Sequence, residues 1–391
     1  MTQVTIREIQ GQEMLQVMHW LPGYALQSSP PMPDKAKREE QLTQRGAAYM
    51  ALFEDENAVA CMANTAMTQN VRGKLFAAGG IWDVATHPAA RRKGYARQLL
   101  TRLLATVREK GQPFSCLYPF RESFYERMGY VSWPQPRQVQ CDPAALHPLL
   151  TKDLGGEVEL VQFEQGYDTY RRYLRQLQPG IHGMALFDGQ DQAPHNNFWL
   201  ALARVDGELT GVMAYNLRGK RPTEYTLRAI RFYYHTSRGK YLLLSWIARH
   251  IDQAREVEIW LPPCERPETW WADINIVPQS IFRAPMSRIV DLAQLGGMEV
   301  GAGRFAAAVR DPLCPWNEGT WQFEAVDGRL QVSTARQADC ELHIQGLTAL
   351  VYGTHDPTDF EIRGWGNPPP NLQQVMRTMF PPKQPYLHEY F

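Results

Sequence analysis

The sequence predicts a mixed α/β protein of the α+β class that contains more than one domain. Three observations predict this class. The chain begins with antiparallel strands, and a strand, a glycine turn, a helix and a further strand then follow in that order. A later region repeats this arrangement in outline. The chain has 391 residues, and single hydrophobic cores stop growing at roughly 250 to 300 residues. We therefore expect two or three domains.

The first 150 residues change between the periodicity of strands and that of helices. Apolar and polar residues alternate through Val4 and Ile6, and Met14, Val17 and Met18 then recur at helical spacing. The further predicted elements are a hairpin of residues 47–53 and 58–67, a strand at 75–84, an amphipathic helix from Arg97 that ends at Gly111, and a strand at 114–117. This order predicts an α+β domain that closes near residue 150.

Two further domains are expected after a linker at Pro134, Pro136 and residues 152–157. The second contains strand-like runs and a helix in the same order as the first, and we interpret it as a diverged copy. Its predicted elements are strands at 198–204, 209–216 and 227–234 and a helix at 241–252. The third has a predicted helix at 288–295, strands at 319–325 and 329–334, and a last helix from Asn371. The expected domains are 1–150, 151–284 and 285–391.

Composition excludes several classes of protein. Lys plus Arg equals Asp plus Glu at 41 each, so no overall field favours nucleic acid or an anionic membrane. The longest mainly apolar run, 241–248, is far below the roughly 20 residues that span a bilayer. The six cysteines are scattered without a CxxC pair, which favours reduced thiols. We expect a cytoplasmic, soluble protein with neither disulfide nor structural metal.

Residues 84–97 carry the strongest chemical signal, because they join a predicted strand to an amphipathic helix. A small-residue turn before a helix presents unpaired backbone N–H groups, which together with the positive helix end suit a pyrophosphate. Gly94 lets the backbone approach a phosphate closely, and Ala96 keeps the first helical turn narrow. The basic side chains of the turn would add positive charge, and they are Arg91, Arg92, Lys93 and Arg97.

The motif Arg-x-x-Gly-x-Ala at residues 91–96 is that of the GNAT acetyltransferase superfamily. Taken alone it is more often a basic turn that caps an ordinary helix. Its context favours cofactor binding, since further segments closely resemble the Eis family, named for enhanced intracellular survival: 79–81, 84–88, 117–120 and 124–130. The resemblance covers the whole chain, resting toward the C-terminus mainly on 286–291 and the terminal aromatic residue. It implies tandem GNAT-like acetyltransferase folds followed by a sterol-carrier-like domain.

The resemblance also implies acetyl-CoA as the cofactor and assigns residues to it. The backbone of residues 84–86 would pair with the pantetheine arm, the N–H groups of 92–97 would hold the pyrophosphate, and two residues after the next strand would lie beside the arm. The expected cofactor-binding residues are Val84, Ala85, Thr86, Arg91, Arg92, Lys93, Gly94, Tyr95, Ala96, Arg97, Phe120 and Arg121. The corresponding segment of the second domain, 237–241, lacks the motif, so we expect one acetyl-CoA site per chain.

Tyr125 is the candidate general acid. Acetyl transfer to an amine expels a CoA thiolate, and a phenol with a reference pKa of about 10 can protonate it. By residue type alone Tyr125 could equally be a core aromatic residue of 124–130; the family places its acid tyrosine here, which favours catalysis.

The C-terminal carboxylate of Phe391 is the candidate general base, because a protonated amine must lose a proton before it attacks. Burial could raise the low reference pKa of that carboxylate, near roughly 3.5, and relatives use a terminal phenylalanine in this role. The alternative is a frayed tail, but the apolar residues of 386–391 favour insertion into the active site. Glu389 is the reserve candidate.

The predicted function is acetyl-CoA-dependent transfer of an acetyl group to a primary amine of a small molecule or peptide. The alternative from another class is a non-catalytic, CoA-regulated binding protein for an apolar ligand. Relatives form hexamers, so a homo-oligomer is expected by resemblance. Some relatives acetylate aminoglycosides through an acidic residue shortly after the first helix, whereas residues 24–28 here contain no acid. The identity of the acceptor amine therefore stays open.

Overall fold

The computed structural model describes residues 3–26, 29–32, 34–44, 46–189, 197–279 and 283–391. The strands in chain order are β1 (Val4–Glu8), β2 (Ala48–Glu54), β3 (Asn57–Val71), β4 (Lys74–Thr86), β5 (Phe114–Leu117), β6 (Val131–Ser132), β7 (Arg137–Cys141), β8 (Glu157–Gln162), β9 (Ala185–Phe187), β10 (Trp199–Val205), β11 (Glu208–Arg221), β12 (Glu224–Tyr234), β13 (Ala254–Leu261), β14 (Val277–Gln279), β15 (Met286–Ile289), β16 (Arg304–Arg310), β17 (Gly319–Val326), β18 (Arg329–Thr334) and β19 (Cys340–His343). The α-helices are α1 (Gly11–Ala25), α2 (Lys35–Gln44), α3 (Tyr95–Glu109), α4 (Glu122–Glu126), α5 (Phe163–Leu177), α6 (Ser237–Ala248), α7 (Ile344–Tyr352), α8 (Phe360–Arg363) and α9 (Pro370–Met379). The mixed α/β class is confirmed.

The chain forms two compact units, and neither is a continuous stretch of sequence. The first consists of Met1–Pro134, Gln178–Gln190 and Ala284–Phe391, and the second of Gln135–Leu177 and Asp191–Arg283. This division differs from the expected consecutive ranges 1–150, 151–284 and 285–391. The reason is strand pairing, because β15 lies between β5 and β6, and β9 pairs with β3.

The first unit contains an eight-stranded sheet in the order β1-β2-β3-β4-β5-β15-β6, with β9 added to β3. The predicted hairpin is confirmed as β2 and β3, whose register pairs Ala48 with Asn64. Alternate residues of β2 face opposite sides of the sheet. Met50 packs in a cluster with the leucines of α3, whereas Tyr49 packs with the apolar face of α1. The sheet is therefore covered by α1 on one face and α3 on the other.

Strands β4 and β5 are parallel neighbours that separate partway along β4. Their pairing runs from Ala78 with Phe114 to Ile81 with Leu117, where β5 ends. Strand β4 continues to Thr86 and stays paired with β3 on its other edge. Beyond Ile81, no strand of the described part of the chain pairs with this edge of β4.

The second unit has a seven-stranded sheet in the order β14-β7-β13-β12-β11-β10-β8. Strands β8, β10, β11 and β12 are antiparallel neighbours, and α6 connects β12 to the parallel strand β13. The first unit has the same arrangement in β1, β2, β3, β4, α3 and β5. The two units therefore repeat one topology, as expected from the sequence.

The C-terminal part of the first unit adds a four-stranded sheet, β18-β17-β16-β19. The predicted helix at 288–295 is wrong, since Met286–Ile289 is strand β15 and a short 3₁₀ turn follows at Leu292–Gln294. All four residues of β15 are buried between β5 and β6. A short buried run has no period that distinguishes strand from helix. None of the helices that the structure describes is long and apolar enough to cross a membrane.

Candidate active site

The turn before α3 forms a concave row of backbone donors. Arg92 and Gly94 have left-handed backbone conformations, with φ of 64° and 80°, and Gly94 precedes the first residue of α3 without a side-chain cap. The N–H groups of residues 92–97 make no well-formed hydrogen bond to any described residue. Unpaired donors at the positive end of a helix are a ready anion site. The turn therefore has the geometry and polarity that a pyrophosphate needs.

The basic side chains of the turn have different partners. Lys93 donates to the Glu54 carboxylate at 2.6 Å, and the Tyr95 hydroxyl donates to the same oxygen. Arg91 donates to the carbonyl of Thr86 at 3.3 Å. Glu54 raises the pKa of Lys93 mainly by hydrogen bonding, and the same bond lowers the pKa of the Glu54 carboxyl. Lys93 thus fixes the turn to the end of β2.

Two of the predicted phosphate ligands have free side chains. The guanidinium groups of Arg92 and Arg97 have no hydrogen-bond or ion-pair partner among the described residues. Both residues are exposed. They are the groups of the turn that can meet a phosphate without first breaking an internal contact.

The free edge of β4 lies next to this turn. Ala85 and Thr86 pair with Cys61 and Ala60 of β3, while no strand among the residues that the structure describes pairs with their other edge. An extended, amide-containing ligand can add to such an edge as a further strand. The residues expected to hold a pantetheine arm, 84–86, therefore have no described strand on one side, and there the carbonyl of Thr86 already accepts the hydrogen bond from Arg91.

Tyr125 lies in α4 with a packed ring and an unpaired hydroxyl. It is 3% exposed, and its ring centroid lies 5.0 Å from that of Phe124, 5.9 Å from that of Phe120 and 5.9 Å from that of Tyr130. Its hydroxyl has no partner among the described residues and is not one of the completely buried unpaired atoms. Burial raises the pKa of Tyr125 well above its usual value. The phenol therefore keeps its proton at neutral pH.

Phe120 and Arg121 precede α4. The Phe120 ring is 55% exposed, and Arg121 occupies the position before the helix with an extended backbone and an exposed side chain. An exposed ring beside Tyr125 and the end of β5 is accessible to a ligand that enters the gap between β4 and β5.

The C-terminal tail is held along the segment that contains β9. Tyr386 donates its N–H to the carbonyl of His182 at 2.9 Å, and the Glu389 carboxylate accepts the N–H of Phe187 at 3.1 Å. Glu389 is 7% exposed. Its carboxylate has a structural hydrogen bond that the sequence did not reveal.

A buried arginine anchors the start of this tail. Arg72, 1% exposed, donates to the carbonyls of Leu350, Val351 and Pro381 at 2.9, 2.6 and 3.0 Å. Burial lowers the pKa of Arg72 to about 10. A cation at the C-terminal end of α7 opposes the negative end of the helix dipole, so Arg72 ties the tail to the helix.

Phe391 packs on the sheet near the end of the β4 and β5 pairing. Its ring centroid lies 5.8 Å from that of Tyr118 and 5.6 Å from that of Phe187. A Cβ atom added to Gly80 would lie 3.0 Å from Cζ of Phe391. Gly80 immediately precedes Ile81, so the chain end lies beside the point where β4 and β5 separate.

Helix α6 of the second unit has a different N-terminus. The side chain of Thr236 caps it by accepting the N–H of Gly239 at 3.0 Å. A Cβ atom on Gly239 would lie 2.4 Å from the carbonyl oxygen of Thr210. The helix end is therefore capped and packed against a strand, unlike the open turn before α3.

Comparison with known families accounts for both parts of the first unit. The family described as acetyltransferase (GNAT) domain matches residues 5–132, and the sterol carrier protein domain matches residues 292–388. The chain therefore contains a GNAT acetyltransferase domain and a sterol carrier protein domain. The GNAT match includes β4, the turn, α3 and Tyr125. Among curated proteins, none matches the chain.

Solved structures with the same fold align with the whole chain. A GCN5-related N-acetyltransferase from Anabaena variabilis ATCC 29413 has a TM-score of 0.86 and 17% sequence identity. A probable N-acyltransferase from Enterococcus faecalis V583 has a TM-score of 0.84 and 19% sequence identity. Eis1 from Mycobacterium abscessus has a TM-score of 0.79 and 16% sequence identity. Each alignment covers 100% of both chains. At the level of the fold, the Eis-like resemblance is confirmed.

The region after α1 is described only in part. Residues 24–28 contain no acid, but Gln27 and Ser28 lie outside the described residues. Sequence reasoning missed another acid near the GNAT turn, Asp83, which forms an ion pair with Arg38. The cue was available, because a charged residue inside a buried strand is unusual.

Proposed function

We propose that this GNAT enzyme transfers an acetyl group from acetyl-CoA directly to a primary amine of a small molecule or peptide. The observation that carries the proposal is the row of unpaired N–H groups at 92–97 beside the free edge of β4. Both features fit the group, since one suits a pyrophosphate and the other an amide-containing arm. When bound, acetyl-CoA supplies an activated acetyl thioester.

Two protein groups would move the protons. The carboxylate of Phe391 would take one proton from the ammonium group before the nitrogen bonds to the acetyl carbon. Tyr125 would donate its proton to the sulfur as the carbon–sulfur bond breaks, and the second proton that the nitrogen loses as the amide forms would restore the Tyr125 phenol. The protonated, unpaired hydroxyl of Tyr125 and the packing of Phe391 beside Gly80 support these roles.

The rest of the site would bind and orient. Arg92 and Arg97, with free guanidinium groups, are the side chains that we assign to phosphate, including the 3′-phosphate. Lys93 holds the turn through Glu54. We also propose a homo-oligomer and a cytoplasmic location, which rest on the family resemblance and on composition.

A screen of primary amines with the purified full chain tests the proposal. The measurement is thiol released from acetyl-CoA, with acetylated product identified by mass spectrometry. We expect acetylation of at least one amine. If acetyl-CoA binds but no amine is acetylated, the alternative of a CoA-regulated binding protein is favoured, and apolar ligands should then be tested for binding.

A further inference from the structure

Asp83 has an unusual backbone conformation for a residue inside a strand. Its φ is +51°, and among the described residues it is the only non-glycine with positive φ that lies within a strand. The pairing of β3 with β4 shifts register opposite it, which marks a bulge. Glycine is common at bulges with a left-handed residue, and another residue there costs on the order of 1 kcal/mol. A strained carboxylate at such a position points to a role beyond local stability.

The Asp83 carboxylate is paired with Arg38 of α2. The two side chains are 9% and 20% exposed. The Arg38 guanidinium also donates to the carbonyl of Met18 in α1 at 3.4 Å and lies over the Trp82 ring, 5.9 Å from its centroid. Asp83 is thus a nearly buried carboxylate whose counterion is supplied by a separate helix.

This ion pair lies close to the proposed reaction centre. Asp83 is two residues beyond Ile81, where the pairing of β4 with β5 ends, and directly precedes the free edge at 84–86. Phe391 packs against the same hydrophobic cluster that contains Trp82. A group bound at Asp83 would therefore lie beside the point where β4 and β5 separate, next to Trp82, whose ring shares a hydrophobic cluster with Phe391.

An apolar cavity lies farther along the same part of the unit. It has a volume of about 220 Å³ and is lined by Trp20, Leu21, Tyr24, His87 and Pro88. The rings of Trp20 and Tyr24 are 52% and 48% exposed. At about 3.3 Å per residue of extended chain, His87 lies at most roughly 13 Å from Asp83.

We propose that Asp83 binds the ammonium group of the acceptor, exchanging Arg38 for it, and that Trp20 and Tyr24 hold a flat apolar group of the same molecule. The proposal rests on the proposed acetyl transfer and specifies its acceptor class as a monoamine with an aromatic body. Arg38 neutralises the one carboxylate of this pair, so the pair has no excess negative charge to attract a polycation.

Two substitutions test the ammonium site because they change its charge in opposite directions. Asp83→Asn removes the charge and keeps a residue that tolerates positive φ. We expect KM to rise about tenfold or more for both 2-phenylethylamine and ethylamine, because one charge-assisted hydrogen bond is lost. Arg38→Gln removes the positive charge that opposes an ammonium group beside this carboxylate, so KM for both amines should fall. The dissociation constant of acetyl-CoA should not change in either variant.

A purely structural ion pair predicts another pattern. If the pair only anchors α2, both substitutions break the same contact and should raise KM by similar factors, and that result would overturn the proposal. An unchanged KM in Asp83→Asn would overturn it too. For the aromatic part, Trp20→Ala should raise KM for 2-phenylethylamine alone, and an equal effect on ethylamine would contradict the assignment.

Calorimetry separates this proposal from the proposed function. Binding of 2-phenylethylamine to the CoA-saturated full chain requires no turnover. If the wild type binds 2-phenylethylamine and Asp83→Asn weakens that binding about tenfold or more, the site is supported even if no amine is acetylated. A wild type that fails to bind 2-phenylethylamine would overturn the site, whatever the outcome of the amine screen.

Discussion

At the residue scale, Tyr125 shows how burial and chemistry combine in one side chain. Its ring is packed among other aromatic rings, and its hydroxyl has no partner among the described residues. The neighbouring Tyr130 is also buried, but its hydroxyl forms a 2.8 Å hydrogen bond with Ser115. Tyr130 therefore serves as a control for Tyr125, because both rings are buried and, in the described part of the chain, only the Tyr130 hydroxyl has a hydrogen-bond partner.

We predict that Tyr125→Phe lowers turnover on the order of a hundredfold and leaves the dissociation constant of acetyl-CoA nearly unchanged. The ring remains and only the proton donor is lost. Tyr130→Phe should keep turnover within a few-fold and reduce the free energy of unfolding by about 1 kcal/mol. Steady-state kinetics and calorimetry measure both effects. Near-normal turnover in Tyr125→Phe would return this residue to the role of a core aromatic.

Gly94 is the second residue whose chemistry can be isolated. A Cβ atom there meets no atom within 4 Å, so the space above it is open to a ligand, and its φ is 80°. Gly111, at the other end of α3, has φ of 70° and the same open surroundings. A substitution strains the backbone equally at both positions.

We predict that Gly94→Val weakens acetyl-CoA binding at least about tenfold, because the side chain blocks the approach of phosphate to the backbone donors. Gly111→Val should reduce the free energy of unfolding about as much as Gly94→Val does, but it should bind acetyl-CoA with normal affinity. Thermal unfolding and calorimetry on the two variants measure both effects. Equal affinities in the two proteins would contradict the assignment of the turn.

At the element scale, the C-terminal tail behaves as a packed element without regular secondary structure. Residues 386–389 are buried, although most chain ends fray. Arg72 and the carbonyl of His182 hold its backbone, and the hydrogen bond of Glu389 to Phe187 holds it close to its end. The Glu389 carboxylate already accepts a hydrogen bond from the Phe187 N–H, so it is a poorer candidate base than the terminal carboxylate of Phe391.

We predict that deleting Phe391, or extending the chain beyond it, abolishes acetyl transfer while folding and acetyl-CoA binding persist. The deletion moves the carboxylate, and the extension converts it to an amide. Phe391→Leu keeps the carboxylate and should retain part of the activity, and an N-terminal tag should have no effect. Turnover and acetyl-CoA affinity are the measurements. Full activity in the extended protein would exclude the terminal carboxylate as the base.

At the scale of the whole molecule, the repeated topology raises the question of whether both units bind a cofactor. The two helices that follow the corresponding strands, α3 and α6, differ at their N-termini. Gly94 leaves the donors of α3 open, whereas Thr236 caps α6 and Gly239 packs against Thr210. The same topology therefore has one open anion site and one closed helix end.

We predict one acetyl-CoA per chain, measured by calorimetry on the full-length protein. Gly94→Val should reduce the affinity of that single site, and Thr236→Ala should leave stoichiometry and affinity unchanged, because removing a cap does not create the open turn. Two equivalent sites per chain would contradict the interpretation of the second unit as a degenerate copy.

The sequence by itself determined the order of most elements and the position of the phosphate turn. Alternation, helical spacing and turn residues act between near neighbours, so β2, β3, α3 and the turn could be predicted from short segments. The free N–H groups of 92–97 follow from a glycine turn that opens a helix, which is also local.

Only the tertiary structure decided which distant residues meet. Sheet pairing brings Glu54 to Lys93 across 39 positions, places β15 between β5 and β6, and brings Phe391 to Gly80. It also sets the bulge that strains Asp83 and the helix that supplies Arg38. Such contacts depend on hydrogen bonding and packing between strands far apart in the chain, and no pattern within a short segment specifies them.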